Sequence, residues 1–223
     1  MNRLQLRDAI RLRVGMLSDD QLGTDANLND LINQALHAIE LEAAAGWPWQ
    51  LYRGTFPTVV GTEEYGFATI DATNTIMRIG SLRLLIDGGY EAELAAMGYS
   101  DLVSYFATTQ QATPEAYAVV GRTVVLRPIP SAVYTVKFSA TKAEPDLSAD
   151  SGAGGTPILP ATFHNAIVEQ AAYLWYRRSN NSDQANVAKA ELTHILSRML
   201  GYAREQAGPG RIRDTLEIVS SRR

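Results

Sequence analysis

The chain has 223 residues, of which 46% are hydrophobic and 20% are charged, and its formal net charge at pH 7 is -4. This composition is typical of a globular protein, and the acidic balance gives no global signature of nucleic-acid binding. The absence of cysteine excludes disulfide bonds and thiolate chemistry. The sequence also lacks an apolar run long enough to predict a membrane span, and arginines rather than an apolar segment follow the first residue, so we expect no secretory signal.

Two amphipathic helices are predicted in the first quarter of the chain. Residues 3–17 place apolar side chains on one face, and residues 27–43 repeat this pattern after a polar loop, with Asn27 as the expected N-cap. Arg3, Arg7 and Arg11 are spaced four residues apart and therefore share another face of the first helix. Such a stripe either faces solvent or binds an acidic partner such as DNA phosphate, and the spacing leaves both interpretations open.

Two tryptophans flank a proline directly after the second helix, which is expected to end near Gly46. Proline cannot continue a helix, and the rings of Trp47 and Trp49 carry a large apolar area. Together with Trp175, they are expected to be structural and to fill an aromatic joint between two domains.

An alternating pattern then replaces the helical one and predicts a series of short strands. We expect a hairpin of residues 55–60 and 63–68, a strand over 75–86 followed by one over 90–94, a short helix over 100–106, a second hairpin of 115–120 and 123–127, and a last strand to about residue 141. Strands at this spacing predict a small antiparallel β-sandwich or barrel.

The remaining residues complete an α+β architecture. Residues 143–157 have the composition of a flexible linker, and two further helices are predicted at about 159–178 and 184–204. The simplest assembly is a helical bundle built from both ends of the chain, with a β domain inserted in it. We therefore expect bundle segments at 1–54 and 158–206, the inserted β domain at 55–142, the linker at 143–157 and an extended C-terminal arm at 207–223.

The predicted arm follows a Gly-Pro-Gly sequence that ends the last helix. Its apolar residues are too few to form a core of their own, and arginines flank them. An arm of this kind gains most by adding to a neighbour's sheet or by lying in a groove, although a frayed terminus is the alternative. The residues expected to bind are Arg211, Arg213, Leu216, Ile218, Val219, Arg222 and Arg223.

Catalytic and ligand-binding motifs are missing from the sequence. The three histidines are not part of an HExxH motif, and the glycines at 152–155 are not followed by the Lys-Ser/Thr pair of a phosphate-binding loop. We therefore expect a protein that is not an enzyme and that holds no metal or cofactor. A nucleic-acid-binding module that uses the Arg3/Arg7/Arg11 stripe and the basic arm is the alternative.

The order of these pieces resembles the head-to-tail adaptor proteins of tailed bacteriophages, which are also called connector or head completion proteins. Four stretches carry the resemblance: AAAGWPWQLYRGTFPTVVGTEEYGF, TPEAYAVVGRTVVLRPIPSAVYTVKFSATKAEPDL, the linker into ILPATFHNAIVEQAAYLWYRR, and the closing helix with its tail. Together they cover most of the chain.

The resemblance implies a structural virion protein without a cofactor. Such adaptors form a ring, usually a dodecamer, beneath the portal at the capsid vertex, after synthesis in the host bacterial cytoplasm. The ring extends the DNA channel, through which double-stranded DNA passes without specific binding. A tail, nozzle or tail-completion protein docks below it, and no membrane is involved. By the same resemblance, the arm is expected to bind the portal or the adjacent adaptor subunit.

Overall fold

A computed structural model describes residues 1–15, 24–43, 46–86 and 89–207. The described residues divide into two compact units. Among these residues, one unit contains those up to residue 50 together with 144–207, and the other contains those from Leu51–Ala143. The first contains helices and the second mainly antiparallel strands, so the predicted α+β class is confirmed. The bundle and sandwich arrangements stay predictions. A closed barrel does not occur among the described strands, so that alternative was wrong.

Four long helices form most of the first unit in the part of the chain that the structure describes. They are α1 (Arg3–Val14), α2 (Asp25–Leu41), α5 (His164–Arg178) and α6 (Ser182–Ala207). A capping box of Asn2 and Gln5 begins α1. The N-cap of α2 is Thr24, whose hydroxyl accepts from the backbone N–H of Asn27, rather than Asn27 itself. The threonine cap lets α2 begin earlier than its apolar pattern indicates.

The apolar stripes of these helices form the core of the helical unit. Residues three or four positions apart share a helix face, which accounts for their common burial. The buried stripe residues include Leu6, Ile10, Leu28, Ile32, Leu36, Ile39, Phe163, Ile167, Ala171, Leu192 and Met199.

The segment at 143–157, expected to be a flexible linker, is instead held against the helical unit. Leu147 is buried in the core, and its backbone N–H donates to Oδ1 of Asn33 at 2.9 Å. The backbone N–H of Arg3 donates to the carbonyl of Gly155 at 2.8 Å. The composition of this segment is dominated by small and polar residues, and one buried leucine with its hydrogen bonds is enough to anchor it.

In chain order, the described elements of the second unit are β1 (Leu51–Pro57), β2 (Glu64–Gly66), α3 (Phe67–Ile70), β3 (Ile76–Ile86), β4 (Tyr90–Glu93), β5 (Ala95–Ala96), α4 (Tyr99–Tyr105), β6 (Gln111–Ala112), β7 (Ala116–Val120), β8 (Thr123–Arg127), β9 (Ile129–Pro130) and β10 (Thr135–Lys142). Two four-stranded sheets make up most of this unit. The first has the order β1-β10-β3-β4, and every pair in it is antiparallel. The second has the order β2-β8-β7-β5, in which β5 and β7 are parallel. A short parallel pair, β6 and β9, and two short helices, α3 and α4, complete the unit.

The hairpin predicted from residues 115–120 and 123–127 is confirmed by the antiparallel pairing of β7 with β8. The strands predicted at 75–86 and 90–94 are also present, and they pair with each other as β3 and β4.

The hairpin predicted around Gly61 was wrong. Strand β1 begins at Leu51, within the segment 1–54 that was assigned to the bundle, and pairs with β10, whereas β2 pairs with β8 in the other sheet. The ring centroids of Phe56 and Phe138 lie 6.2 Å apart, and both side chains are buried in the core of this unit. Apolar contacts between residues distant in the chain therefore outweigh the local turn signal at Gly61.

Candidate functional site

The predicted stripe of Arg3, Arg7 and Arg11 contacts carboxylates of its own chain. The two terminal nitrogens of Arg7 lie 3.1 Å from Asp25 and 3.0 Å from Asp150, and its side chain is only 4% exposed. Arg3 also binds Asp150, and Arg11 also binds Asp25. These pairs connect α1 to the start of α2 and to the segment at 144–157. The row of guanidinium groups therefore has acidic partners within the helical unit.

Asp150 shows the electrostatic effect of this cluster. A hydrogen bond from Arg3, with a further contribution from Arg7, holds the pKa of the Asp150 carboxyl below its ordinary value. The direction is expected, because adjacent positive charge favours the ionised carboxylate. Ion pairs of this kind order the helical unit, and the buried Arg7 depends on them most, since an unpaired buried charge is costly.

Trp47 and Trp49 pack together in the helical unit. Their ring centroids lie 4.9 Å apart with an interplanar angle of 8°, which is a stacked arrangement. Trp47 is 1% exposed, and its indole N–H donates to the carbonyl of Ile39 at 2.9 Å. Trp49 is half-buried and lies near Phe163, with the two ring centroids 6.3 Å apart. Both rings therefore pack against the core of the helices.

Trp175 occupies a different place in the same unit. It is half-buried on α5 and lines a surface cavity of about 220 Å³ with Leu31, Arg178 and neighbouring residues. The sequence analysis grouped Trp175 with the other two tryptophans, and all three pack against the helical core. Trp175 is more exposed than Trp47.

A buried polar network lies beside Trp47, and sequence patterns did not predict it. Oε1 of Glu40 accepts from the side-chain amide of Gln50 and from the backbone N–H of Glu144, both at 2.7 Å. Glu144 in turn accepts from the backbone N–H of Ile158 at 2.6 Å. Gln50 and Glu144 are the residues at which the chain leaves and re-enters the helical unit. Because their positions are far apart in the sequence, no local spacing signals the network.

The histidines do not form a metal site. His164 is buried and bonded to the carbonyl of Leu159 at 2.8 Å, and burial lowers its pKa. His37 instead contacts Asp146 and Glu40. In the parts of the chain that the structure describes, no group of three or more metal-ligating side chains is close enough to hold an ion.

The predicted arm, with Arg211, Arg213, Leu216, Ile218, Val219, Arg222 and Arg223, lies outside the described residues. Among the helices that are described, none is both long and apolar enough to cross a membrane.

The family model described as "SU10 adaptor protein" matches residues 1–213. No curated protein matches the chain. One solved structure that resembles it is described as the neck of an empty GTA particle, computed with C6 symmetry. That chain is 18% identical, and the match covers 79% of this chain and 76% of the other with a TM-score of 0.28.

Proposed function

We propose that this chain, which belongs to the SU10 adaptor protein family, forms a ring beneath the portal of a tailed phage, extends the DNA channel and docks the tail. The family match over residues 1–213 is the observation that carries the proposal, because it spans both compact units. Membership confirms the family expected from the sequence. It gives the chain a structural role as a head-to-tail adaptor, which is not a class of enzyme.

The proposed ring is a dodecamer, as the resemblance implies. A ring requires heterologous contacts, so each subunit presents two different surfaces to its neighbours. The portal lies above the ring and the tail, nozzle or tail-completion protein below. Double-stranded DNA passes through without specific binding, and the net charge of -4 per subunit supports this part of the proposal. The chain is made in the host bacterial cytoplasm and ends in the virion at the portal vertex.

The C-terminal arm is proposed as the attachment element. Leu216, Ile218 and Val219 provide an apolar segment, and arginines stand on both sides of it. An extended segment of this kind binds by completing its backbone hydrogen bonds on a partner, while arginine pairs well with carboxylates. The proposed partner is the portal or the adjacent adaptor subunit.

Intramolecular pairing weakens the alternative of a nucleic-acid-binding module. Arg3 and Arg7 contact Asp150, and Arg7 and Arg11 contact Asp25. Phosphate binding through this stripe would have to displace those carboxylates, and the buried Arg7 would have to become accessible. Of the two groups of residues assigned to this alternative, only the arginines of the C-terminal arm are left as candidates for binding phosphate.

The test is the particle mass of the purified chain, alone and with the portal protein of the same phage. We expect a complex whose added mass equals a whole ring of subunits. A chain ending at residue 207 serves as the matched variant and is expected to melt like the full chain but to lose the portal. Absence of any complex with the full chain refutes the proposed function. Equal binding of the shortened chain refutes the role of the arm and leaves the ring intact. Tight binding to DNA at physiological salt instead supports the alternative.

A further inference from the structure

The β1-β10-β3-β4 sheet has two open edges. Strand β1 forms one edge and β4 the other, and each is paired on one side only. Within the described ranges, no other strand or loop supplies backbone hydrogen bonds to residues 52–57 or 90–93. An open edge presents unpaired N–H and C=O groups that can pair with another chain.

The directions of the two edge strands suit pairing with a second copy of the chain in the same orientation. All three pairs in the sheet are antiparallel, so β1 and β4 run in opposite directions. When a second copy is placed beside the first in the same orientation, its β4 lies antiparallel to β1 of the first copy. Head-to-tail repetition therefore continues the alternation of strand directions, and this is the contact type that generates rings.

The charges on the edges are also complementary. Phe56, Val136 and Leu84 are in register and buried, so their sequence neighbours point to the opposite, outward face. Arg53 on β1 and Glu93 on β4 both belong to this outward face, since Arg53 is in register with Ser139, and Glu93 with Arg83.

Neither of these two edge charges has an ion pair within the described residues. The neighbouring Glu91, in contrast, is already bound by Lys137 at 2.5 Å and by Arg83 at 3.6 Å. Glu93 is in register with Arg83, but the guanidinium of Arg83 is bound to Glu91. Among the described residues, one edge therefore carries a positive charge without an ion pair of its own, and the other edge a negative charge without one.

We propose that β4 of one copy pairs antiparallel with β1 of the next copy, with Glu93 opposite Arg53. This inference rests on the proposed ring and specifies one of its subunit contacts. In this register the whole of Tyr90–Glu93 lies beside residues 53–56, within the length of β1. Opposite charges directly across a strand pair stabilise it, and like charges destabilise it.

Because β4 is short, the strand pair between two copies is expected to depend on how closely the copies are held together. Four residues supply few hydrogen bonds, so a single junction between free subunits is weak. In a closed ring, the other subunit contacts hold β4 of one copy close to β1 of the next, so the effective concentration of the two strands is high. The strand pair then forms without any additional interaction of its own. The junction is therefore expected to form sparingly in dilute solution and fully in the assembled ring.

The natural lack of cysteine makes the test direct. Arg53→Cys and Glu93→Cys are prepared as single variants, mixed, and oxidised both in concentrated solution and in complex with the portal protein. The expected result is a mixed disulfide dimer that exceeds the dimers formed by either variant alone. A mixture of Arg53→Cys with Tyr105→Cys is the control, because Tyr105 is exposed and belongs to α4 rather than to either edge strand.

Other outcomes overturn the proposal. Equal dimer formation by Arg53→Cys alone indicates two-fold pairing of β1 with itself. If the mixed dimer exceeds the control neither in concentrated solution nor on the portal protein, the charges at the two edges serve only to prevent strand pairing between copies. Rings that form on the portal without this cross-link refute the strand contact but leave the proposed function intact. If no rings form, the proposed function also fails.

Charge reversal provides a second readout. Arg53→Glu places like charges opposite each other and is expected to lower the yield of the junction by about two- to fivefold. Combining it with Glu93→Arg is expected to restore the yield. Arg53 is exposed and in register with the uncharged Ser139, so Arg53→Glu should leave the melting temperature unchanged. Glu93→Arg faces Arg83 within its own sheet, so the melting temperature of this variant is measured separately as the control for folding. A reversal without effect, or one that the second substitution does not rescue, contradicts the proposed pairing.

Discussion

Replacing Trp47 by alanine removes a large side chain from the centre of the helical core. The ring is 1% exposed and stacks on Trp49, and its N–H bonds to the carbonyl of Ile39. Truncation of a buried tryptophan costs about 3–5 kcal/mol, including the cavity that it leaves. The carbonyl of Ile39 also loses its side-chain donor, which adds to the loss if water does not replace it.

The expected effect is large compared with the total stability. Domains are stable by roughly 5–15 kcal/mol, so Trp47→Ala removes a substantial part of the free energy of unfolding. At about 2–4 °C per kcal/mol for a protein of this size, the melting temperature should fall by roughly 6–20 °C. Thermal melting followed by circular dichroism at 222 nm reports on this change, because the helices dominate that signal.

Trp175→Ala is the matched control for this measurement. Trp175 is half-buried and lines a surface cavity, so its truncation removes less buried area and leaves a smaller new void. We expect its melting temperature to fall by clearly less than that of Trp47→Ala. A Trp47→Ala protein that melts within about 2 °C of the wild type would refute this reasoning, since a loss below ~1 kcal/mol is incompatible with a core role. Equal losses for the two variants would also refute it.

Three further predictions concern a close contact, a buried histidine and the arginine cluster. A Cβ atom added to Gly54 would lie 2.5 Å from the ring of Phe138, so Gly54→Ala should destabilise the β unit by about 1–3 kcal/mol in chemical denaturation. Gly201 lies inside α6, and a Cβ atom added there would meet no atom from outside the adjacent helix backbone within 4 Å, so Gly201→Ala should instead stabilise by roughly 0.5–1 kcal/mol. A neutral Gly54→Ala would contradict the close contact. Burial lowers the pKa of His164, so the folded state binds fewer protons than the unfolded state, and stability should fall as the pH drops below about 6.5. His164→Gln should flatten this pH dependence of melting, and an unchanged slope would exclude His164 as its source. Asp150→Asn removes one of the two carboxylates that contact the buried Arg7 and should lower the melting temperature more than the surface substitution Glu205→Gln; equal melting would show that the cluster adds no stability.

Sequence patterns predicted the elements whose evidence is local. The stripe in α2 was read from apolar residues three or four positions apart, and those residues are buried in the core. Strands were predicted on both sides of the turn residues at 87–89 and at 121–122, and these strands are present as the pairs β3–β4 and β7–β8. The family was also identified correctly, since it depends on the order of such pieces along the chain.

Partners that are distant in the chain could not be predicted in this way. The arginine spacing in α1 placed three side chains on one face, but it did not reveal that Asp25 and Asp150 lie opposite Arg7. The turn signal at Gly61 predicted a hairpin, whereas β1 pairs with β10. Glu40, Gln50 and Glu144 carry no motif, and their network exists because three separate segments meet.

The sequence by itself therefore determined the helices, the strands on both sides of the turns at 87–89 and 121–122, and the family of this protein, because periodicity and turn chemistry act within a few residues. The tertiary structure alone decided which carboxylates neutralise Arg7 and which strand covers each side of β10. It also decided which edges of the sheet stay open. These choices depend on the simultaneous burial of apolar faces from distant segments, and the free energy of that packing belongs to the whole core rather than to any local pattern.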